Sequence, residues 1–300
     1  MKRRTVDVAR GKWRGVLLTL GIGARYLTDK HGPCPLCGGK DRYRWDNRNG
    51  DGTYFCSGCG AGNAMDLLMA VKGWDFKTAA QEVDQVVGNV SAEPVKQAMP
   101  EARRVSLLND LWLAGVRVRD DSPVVAYLAM RGCGLPDTDC LRYVENCPVP
   151  GGGTMPAMVA MVMGPDGKPA TLHRTFLGPQ GKADMPNPRA LMPGGLVEGS
   201  AVRLSLHGER LGIAEGIETA RASTRRFGLP CWAALNSVNL AKWRAPEGVR
   251  SIVIFGDNDP KFGGAAAAYE CAHRNAVKGV EVEVRIPQQI GLDWADEAAA

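Results

Sequence analysis

The stretch Ser251-Ile-Val-Ile-Phe-Gly-Asp-Asn-Asp-Pro-Lys-Phe-Gly-Gly264 constrains this chain more than any other. A short Val/Ile-rich run bounded by turn residues reads as a strand buried on both faces, as in parallel sheets covered by helices. It ends in two carboxylates, Asp257 and Asp259. Open α/β sheets bind ligands beyond the carboxyl ends of their strands, so both acids stand where such a sheet does its chemistry. Side chains alternate along an extended chain, which lets Asp257 and Asp259 point the same way. Two hard oxygen ligands on one side suit Mg²⁺, which takes one or two carboxylates and leaves its other positions to water and substrate phosphate. On the plainer reading the two acids only cap a helix that starts near Gly264. A second strand-end acid favours the first reading. In Leu211-Gly-Ile-Ala-Glu-Gly-Ile-Glu-Thr219, Glu215 follows a short apolar run and precedes a helical pattern of Ile217, Ala220, Ala222 and Phe227. Two strand-acid-helix units can bring Glu215, Asp257 and Asp259 to one sheet edge.

The cysteines set a second constraint. Cys34/Cys37 and Cys56/Cys59 form Cys-x2-Cys, eighteen residues, Cys-x2-Cys, the spacing of a structural zinc site. Each pair offers two thiolates to one tetrahedral Zn²⁺, and Gly38, Gly58 and Gly60 ease the tight turns. His31 is a competing ligand, but four cysteines already complete the shell. The nine cysteines are an odd number, and in a reducing compartment paired Cys-x-x-Cys favours metal over disulfide. Between the pairs, Lys40-Asp-Arg-Tyr-Arg-Trp-Asp-Asn-Arg48 interleaves basic and aromatic residues. On a strand, Arg42 and Arg44 share one face, open to phosphates, and Tyr43 and Trp45 the other. The aromatics either stack unpaired bases or belong to the core; both readings stay open here.

Charge is unevenly spread. The net +5 arises from residues 1–62, with twelve Lys/Arg against five Asp/Glu, while the remaining 238 residues sum to −2. A basic segment of this kind is an electrostatic footprint for nucleic acid; a solvated basic surface looks the same. No apolar stretch reaches the eighteen or so residues of a membrane span, and Met1-Lys-Arg-Arg4 opens no signal-peptide core. These features point to the cytoplasm. No Gly-x4-Gly-Lys-Ser/Thr loop occurs, so no helicase motor is expected in this chain.

Read in order, residues 1–88 form a basic N-terminal region with the four-cysteine zinc ribbon and short helices over Met65 to Gly73 and Phe76 to Gly88. Residues 89–101, polar and carrying Pro94 and Pro100, are the linker. Residues 102–200 open with a helix through Gly115 whose Leu107, Leu108, Leu111 and Trp112 share a side. Ser122-Pro123 then reads as an N-cap and first helical position of a helix through Arg131. After Gly151-Gly-Gly153 the pattern becomes β, with Ala157 to Met163 and Pro169 to Leu177 flanking a Gly-Pro-Asp-Gly turn. Residues 201–300 carry the acid-bearing strands, and Val280 to Ile286 alternates with charged residues as an edge strand does. The fold class is α/β, α+β overall: an N-terminal zinc ribbon, a mixed lobe, and an open parallel sheet flanked by helices.

The Glu-Gly after one strand and the Asp-x-Asp after a later one resemble the Toprim domain shared by primases, topoisomerases and some nucleases. Gly212-Ile-Ala-Glu-Gly-Ile-Glu-Thr-Ala220 looks most like primases of phages and mobile elements. In the family these acids hold catalytic Mg²⁺, or Mn²⁺ in its place; the matching residues are Glu215, Asp257 and Asp259. Some replicative primases carry a further Asp four residues after the Glu, where this chain has Thr219; Glu218 is the neighbour that can substitute. Gly291-Leu-Asp-Trp-Ala-Asp296 resembles a closing motif of such proteins, with Asp293 and Asp296 either joining the acids or capping a final turn. The segment from His31 to Asp66 is similar to the zinc ribbon of phage and plasmid primase-helicases. In that family the ribbon is thought to contact single-stranded template. Leu172-His-Arg-Thr-Phe-Leu177, Gly181-Lys-Ala-Asp184 and Pro188-Arg189 look like the lobe that precedes Toprim in bacterial primases. There the lobe supplies basic groups to template and nucleotide, and Arg174 and Lys182 match best. Lys261 lies beside the acids, either touching phosphate or tempering their field.

The resemblance implies a Mg²⁺-dependent nucleotidyltransferase, a DNA primase making short RNA primers on single-stranded DNA from nucleoside triphosphates. It also implies a separate replicative helicase as partner, and a bacterial cytoplasm, whether the gene belongs to host or phage. A Toprim nuclease uses the same acids to direct water at a phosphodiester. A catalytically silent, single-stranded-DNA-binding accessory or inhibitory protein is the non-enzyme alternative.

Overall fold

The computed structural model describes residues 4–92 and 99–299. The chain divides into two compact units, Met1–Met99 and Pro100–Ala300. The linker expected over 89–101 lies in part outside the described residues.

In the first unit, α1 (Thr5–Ala9) and α2 (Trp13–Thr19) precede an antiparallel sheet of β1 (Tyr43–Trp45), β2 (Tyr54–Cys56) and β3 (Gly60–Gly62). Two helices follow, α3 (Ala64–Lys72) and α4 (Phe76–Val87). Asn63 accepts the N–H groups of Met65 and Asp66, while Asp66 accepts that of Asn63. This capping box fixes the start of α3. The helix stops at Gly73, whose left-handed φ of 69° most side chains resist. Trp13, Val16 and Leu17 of α2 meet Leu67, Leu68 and Val83 in one core, together with Cys34 and Cys56. Tyr43 and Trp45 belong to that core at 2% and 3% exposure, which closes the base-stacking reading for both.

The second unit begins with α5 (Glu101–Ala114), β4 (Val116–Arg117) and α6 (Pro123–Met130). Leu111 of α5 is buried, with Leu107, Leu108 and Trp112 packed beside it. Ser122 accepts the N–H of Val124 and Pro123 opens α6, as the sequence implies. Next come β5 (Leu141–Pro148), β6 (Thr154–Met163), β7 (Pro169–Gly178), β8 (Gly181–Lys182) and β9 (Arg189–Leu191). They form a six-stranded sheet in the order β4-β5-β6-β7-β8, with β9 also pairing β7. The β structure therefore begins well before the glycine run at 151–153. Strand β5 escapes pattern reading because a register shift between Val144 and Cys147 breaks its alternation.

The remainder is β10 (Arg210–Ala214), α7 (Ile217–Phe227), β11 (Cys231–Ala233), α8 (Ser237–Lys242), β12 (Ser251–Phe255), α9 (Gly263–Ala276), β13 (Glu281–Arg285) and α10 (Trp294–Ala299). The strands pair in parallel in the order β11-β10-β12-β13, so β12 is interior and β13 an edge. One short segment ties the two sheets together: Ala201 pairs with Met163 at the end of β6, and Val202 pairs with Ala233 of β11. Among the described residues no helix is long and apolar enough to cross a membrane.

Phe255, the last residue of β12, is fully buried. It stacks on Phe227 at 5.3 Å and meets Trp294 edge-on at 6.1 Å. Emptying that position removes the floor beneath the acid loop. Phe255→Ala is expected to cost about 3–5 kcal/mol of stability, read from the midpoint shift in denaturant unfolding.

Candidate active site and zinc centre

The parallel register sets Ala214 of β10 beside Phe255 of β12. Glu215 and Asp257 therefore leave adjacent strand ends on one sheet edge, where open α/β sheets bind ligands. The loop after β12 is held close. A β-carbon at Gly264 would fall 2.6 Å from the Asp257 carbonyl oxygen, so the first turn of α9 can lie against Asp257 only with glycine there.

The two aspartates serve different ends. Asp257 Oδ1 is buried without a hydrogen-bond partner. Burial, then the nearby charges of Glu215, Asp293 and Asp259, push its carboxyl up to about 7. Burial likewise raises Glu215, which accepts the backbone N–H of Ser237 and feels Arg189 as a counter-charge. Asp259 reaches the start of α9. Its Oδ1 accepts the N–H groups of Lys261 at 3.0 Å and Gly263 at 3.2 Å, and its Oδ2 that of Gly264 at 2.6 Å. Burial would raise this carboxyl, but those three donors outweigh it and hold it below the usual range. The strand ends at Phe255, so both acids lie in the loop beyond it and strand alternation does not set their directions; Asp259 still adds its charge to Glu215 and Asp257.

Cations line the same cleft. A space of about 110 Å³ is bordered by Glu215, Glu218, Asp257 and Asp293 on the acidic side and by Arg131, Lys182 and Arg189 on the basic side. Lys182 lies 3.1 Å from Glu218 Oε1. Glu218, 4% exposed, also accepts the hydroxyl of Tyr127. Burial alone would raise its carboxyl, but Lys182 and then Tyr127 hold it down to about 2. Asp293 caps α10 by accepting the N–H groups of Ala295 and Asp296, while Asp296 pairs with Arg131 at 2.9 Å. Both alternatives raised for the closing motif are thus met at once: Asp293 caps the final turn and also lines the cleft. A larger open groove of about 610 Å³, lined by Arg117, Arg119, Asp121 and Tyr143, holds no such pairing of acids. The facing acids and cations line the smaller cleft.

Arg174 is not brought to this cleft. It is 5% exposed, and its guanidinium donates to the carbonyls of Pro148 at 2.5 Å and Leu191 at 2.8 Å. It is a clamp between strands, and no face is left for phosphate. Its neighbours Leu172 and Phe176, two residues either way, are in the core, and strand alternation puts Arg174 on their face. Lys261 is exposed beside the acid loop. Arg131, Arg189 and Tyr127 are site residues that sequence reasoning missed. Only Arg189 carried a local signal, in Pro188-Arg189.

His173 of β7 lies 6% exposed, with Nδ1 unpartnered. Burial pushes its imidazole down to about 4; Glu218 opposes this, and Arg189, Lys182 and Arg174 add to it. An unfolded histidine titrates near 6.5. The unfolded chain therefore takes up a proton that the folded chain refuses, and stability falls as pH drops from about 6.5 toward about 4. His173→Leu is expected to flatten that fall relative to wild type, measured as melting temperature against pH by calorimetry.

In the first unit, Cys34, Cys37, Cys56 and Cys59 are the one group among the described residues with at least three candidate ligand atoms all within 4.8 Å of one another. Cys34 Sγ lies 3.8 Å from Cys59 Sγ, and Cys37 Sγ 3.9 Å from Cys56 Sγ. A tetrahedron with Zn–S arms of about 2.3 Å has edges of about 3.8 Å, so the thiols fit one Zn²⁺. The N–H groups of Leu36 and Gly58 donate to Cys34 and Cys56 at 3.4 Å each. His31 is exposed and outside the group. Glu215, Asp257 and Asp259 are not gathered as tightly. Yet an unpartnered buried oxygen among like charges is the donor set that a hard cation satisfies.

Residues 29–65 match a family described as the zinc-binding domain of primase-helicase, and residues 210–300 match the Toprim domain. Residues 102–204 match a domain of unknown function (DUF7146). Among solved structures, the zinc-binding and RNA polymerase domains of Aquifex aeolicus primase are similar at 13% identity, covering 99% of this chain and 82% of that one, with a TM-score of 0.45. The primase fragment of the bacteriophage T7 primase-helicase is similar at 14% identity, covering 89% and 92%, with a TM-score of 0.39. A DNA primase domain from Pseudomonas aeruginosa is similar at 16% identity over 51% of this chain and 50% of that one, with a TM-score of 0.34. Residues 29–65 are thus a zinc-binding domain of the primase-helicase type, and residues 210–300 a Toprim domain of the same chain.

Proposed function

We propose that this chain is a DNA primase that joins ribonucleotides on a single-stranded DNA template. The observation that carries the reading is the make-up of one cleft. The unpartnered Asp257 oxygen and Glu215 face Lys182, Arg189 and Arg131 across a space of about 110 Å³. Carboxylates alone suit a metal; carboxylates opposed by fixed cations suit a metal together with a polyphosphate.

In this reading the 3′-hydroxyl of one nucleotide attacks the α-phosphate of the next, and pyrophosphate leaves. Phosphoryl transfer asks the protein mainly for positioning and for neutralisation of charge. Glu215 and Asp257 would hold Mg²⁺ or Mn²⁺, which supplies charge neutralisation at the reacting phosphate. Asp259 fixes the loop that carries Asp257 and adds its charge to the cluster. Lys182, its ammonium steadied by Glu218, meets triphosphate oxygens without having to be ordered first. Arg189 offers a planar fork to the same phosphates, and Arg131, tethered by Asp296, borders the exit for pyrophosphate. Arg44 and Lys261 contact the template backbone. One structural Zn²⁺ sits at the four cysteines, the protein works in the bacterial cytoplasm, and a separate replicative helicase delivers the template.

The test is synthesis from labelled nucleoside triphosphates on single-stranded DNA with Mg²⁺. Short products that require both template and metal support the reading. Nicking of DNA without triphosphates would reassign the cleft to hydrolysis. DNA binding with neither product would leave a binding protein.

A further inference from the structure

Arg42 was a sequence candidate for nucleic-acid contact, but its side chain lies on the cysteine turns. Gly39 follows Cys37 by two residues, and Gly58 follows Cys56 by two. Each of these glycines donates its backbone N–H to the sulfur of the preceding cysteine. Arg42 covers both. A β-carbon at Gly39 would fall 2.3 Å from Arg42 Cδ and Nε, and one at Gly58 would fall 2.7 Å from its Nη1. Neither position could carry a side chain without displacing the guanidinium. The backbone of Arg42 is tied to the same region, its N–H donating to Gly32 at 3.1 Å and its carbonyl accepting from Ser57 at 2.9 Å.

Four thiolates around one Zn²⁺ leave a net charge of −2, and at the two buried sulfurs, Cys34 and Cys56, uncompensated charge is costly. Groups outside the ligand shell that hydrogen-bond or counter-charge the ligands tune metal affinity. We propose that Arg42 is a positioning residue of the zinc centre. Its guanidinium offsets the negative charge of the four thiolates and screens the Gly39 and Gly58 N–H donors from water, so that zinc is retained. This assignment is independent of whether the second unit makes primers, because zinc release is read without any nucleotide or template.

The experiment follows transfer of zinc from the full chain to a chromogenic chelator, comparing wild type, Arg42→Gln, Arg42→Lys and Arg48→Ala. Arg48 is a half-exposed neighbour paired with Asp46 at 2.7 Å, and its loss controls for general surface charge. Arg42→Gln is expected to release zinc about tenfold faster, at the lower end of such effects. Arg42→Lys should stay within about threefold of wild type and Arg48→Ala should match it. Co²⁺-substituted samples report whether the four-thiolate geometry itself survives in each variant. Should Arg42→Gln fail to fold, Gly58→Ala displaces the guanidinium with the charge still present, and the same acceleration is expected. Zinc release from Arg42→Gln at the wild-type rate overturns the proposal. So does unchanged release accompanied by weaker binding of an oligothymidylate, which would return Arg42 to the nucleic-acid surface.

Discussion

Asp257→Asn is expected to lower template-directed primer synthesis by about a thousandfold or more, equivalent to about 4 kcal/mol of lost transition-state stabilisation, while the melting temperature holds or rises. The two parts of this result have one cause. The Asp257 carboxylate is buried, has an unpartnered oxygen and is surrounded by Glu215, Asp293 and Asp259. A charge kept in such a place destabilises the fold, a cost that proteins retain mainly where activity needs it. Asparagine has nearly the same shape and no charge, so it relieves the repulsion and removes the hard ligand together. Asp259→Asn should behave differently. Its three backbone N–H partners anchor the start of α9, and weakening them is expected to cost about 1 kcal/mol of stability, the size of a typical cap. Initial rates of labelled product formation and thermal unfolding of the same samples separate the two aspartates. Equal behaviour of both variants would contradict the division of labour described above.

Removal of zinc is expected to unfold the first unit and leave the second folded. Cys34 and Cys56 are buried within the same core as Trp13, Tyr43, Trp45 and Leu67, so losing the metal leaves two unliganded thiols inside that core and frees the exposed Cys37 and Cys59 beside it. Structural zinc contributes about 10–16 kcal/mol in zinc-finger peptides, which is as large as the whole stability of an ordinary domain, about 5–15 kcal/mol. No reserve of packing in a unit of this size outweighs that loss. Chelation, or Cys34→Ser with Cys56→Ser, should make the first unit susceptible to protease and abolish its thermal transition. The transition of Pro100–Ala300 should persist, since the four zinc-site cysteines lie in the other unit.

The parts of this molecule legible in its sequence are those fixed by short-range rules. Metal-ligand spacing is set by covalent geometry, and the four cysteines converge as their spacing implies. Interior parallel strands are continuous apolar runs, so Arg210–Ala214 and Ser251–Phe255 could be placed along with the acids after them. Where burial is decided by distant partners, local pattern fails. Arg174 looked like a free cation on a hairpin because the carbonyls that hold it, at the ends of β5 and β9, were not in view. Arg131 reaches the cleft from the C-terminal end of α6, remote in sequence from Glu215, and nothing adjacent to it foretells this. Strand alternation could not place Asp259, because β12 stops at Phe255.

The pairing of Ala201 with Met163 and of Val202 with Ala233 has a mechanical meaning. Lys182 and Arg189 come from one sheet, Glu215 and Asp257 from the other. Two isolated backbone bridges on a single stretch of chain hold those sheets as a rivet holds two plates. The gap between cations and acids is thereby spanned by main-chain bonds and not by the side chains that line it.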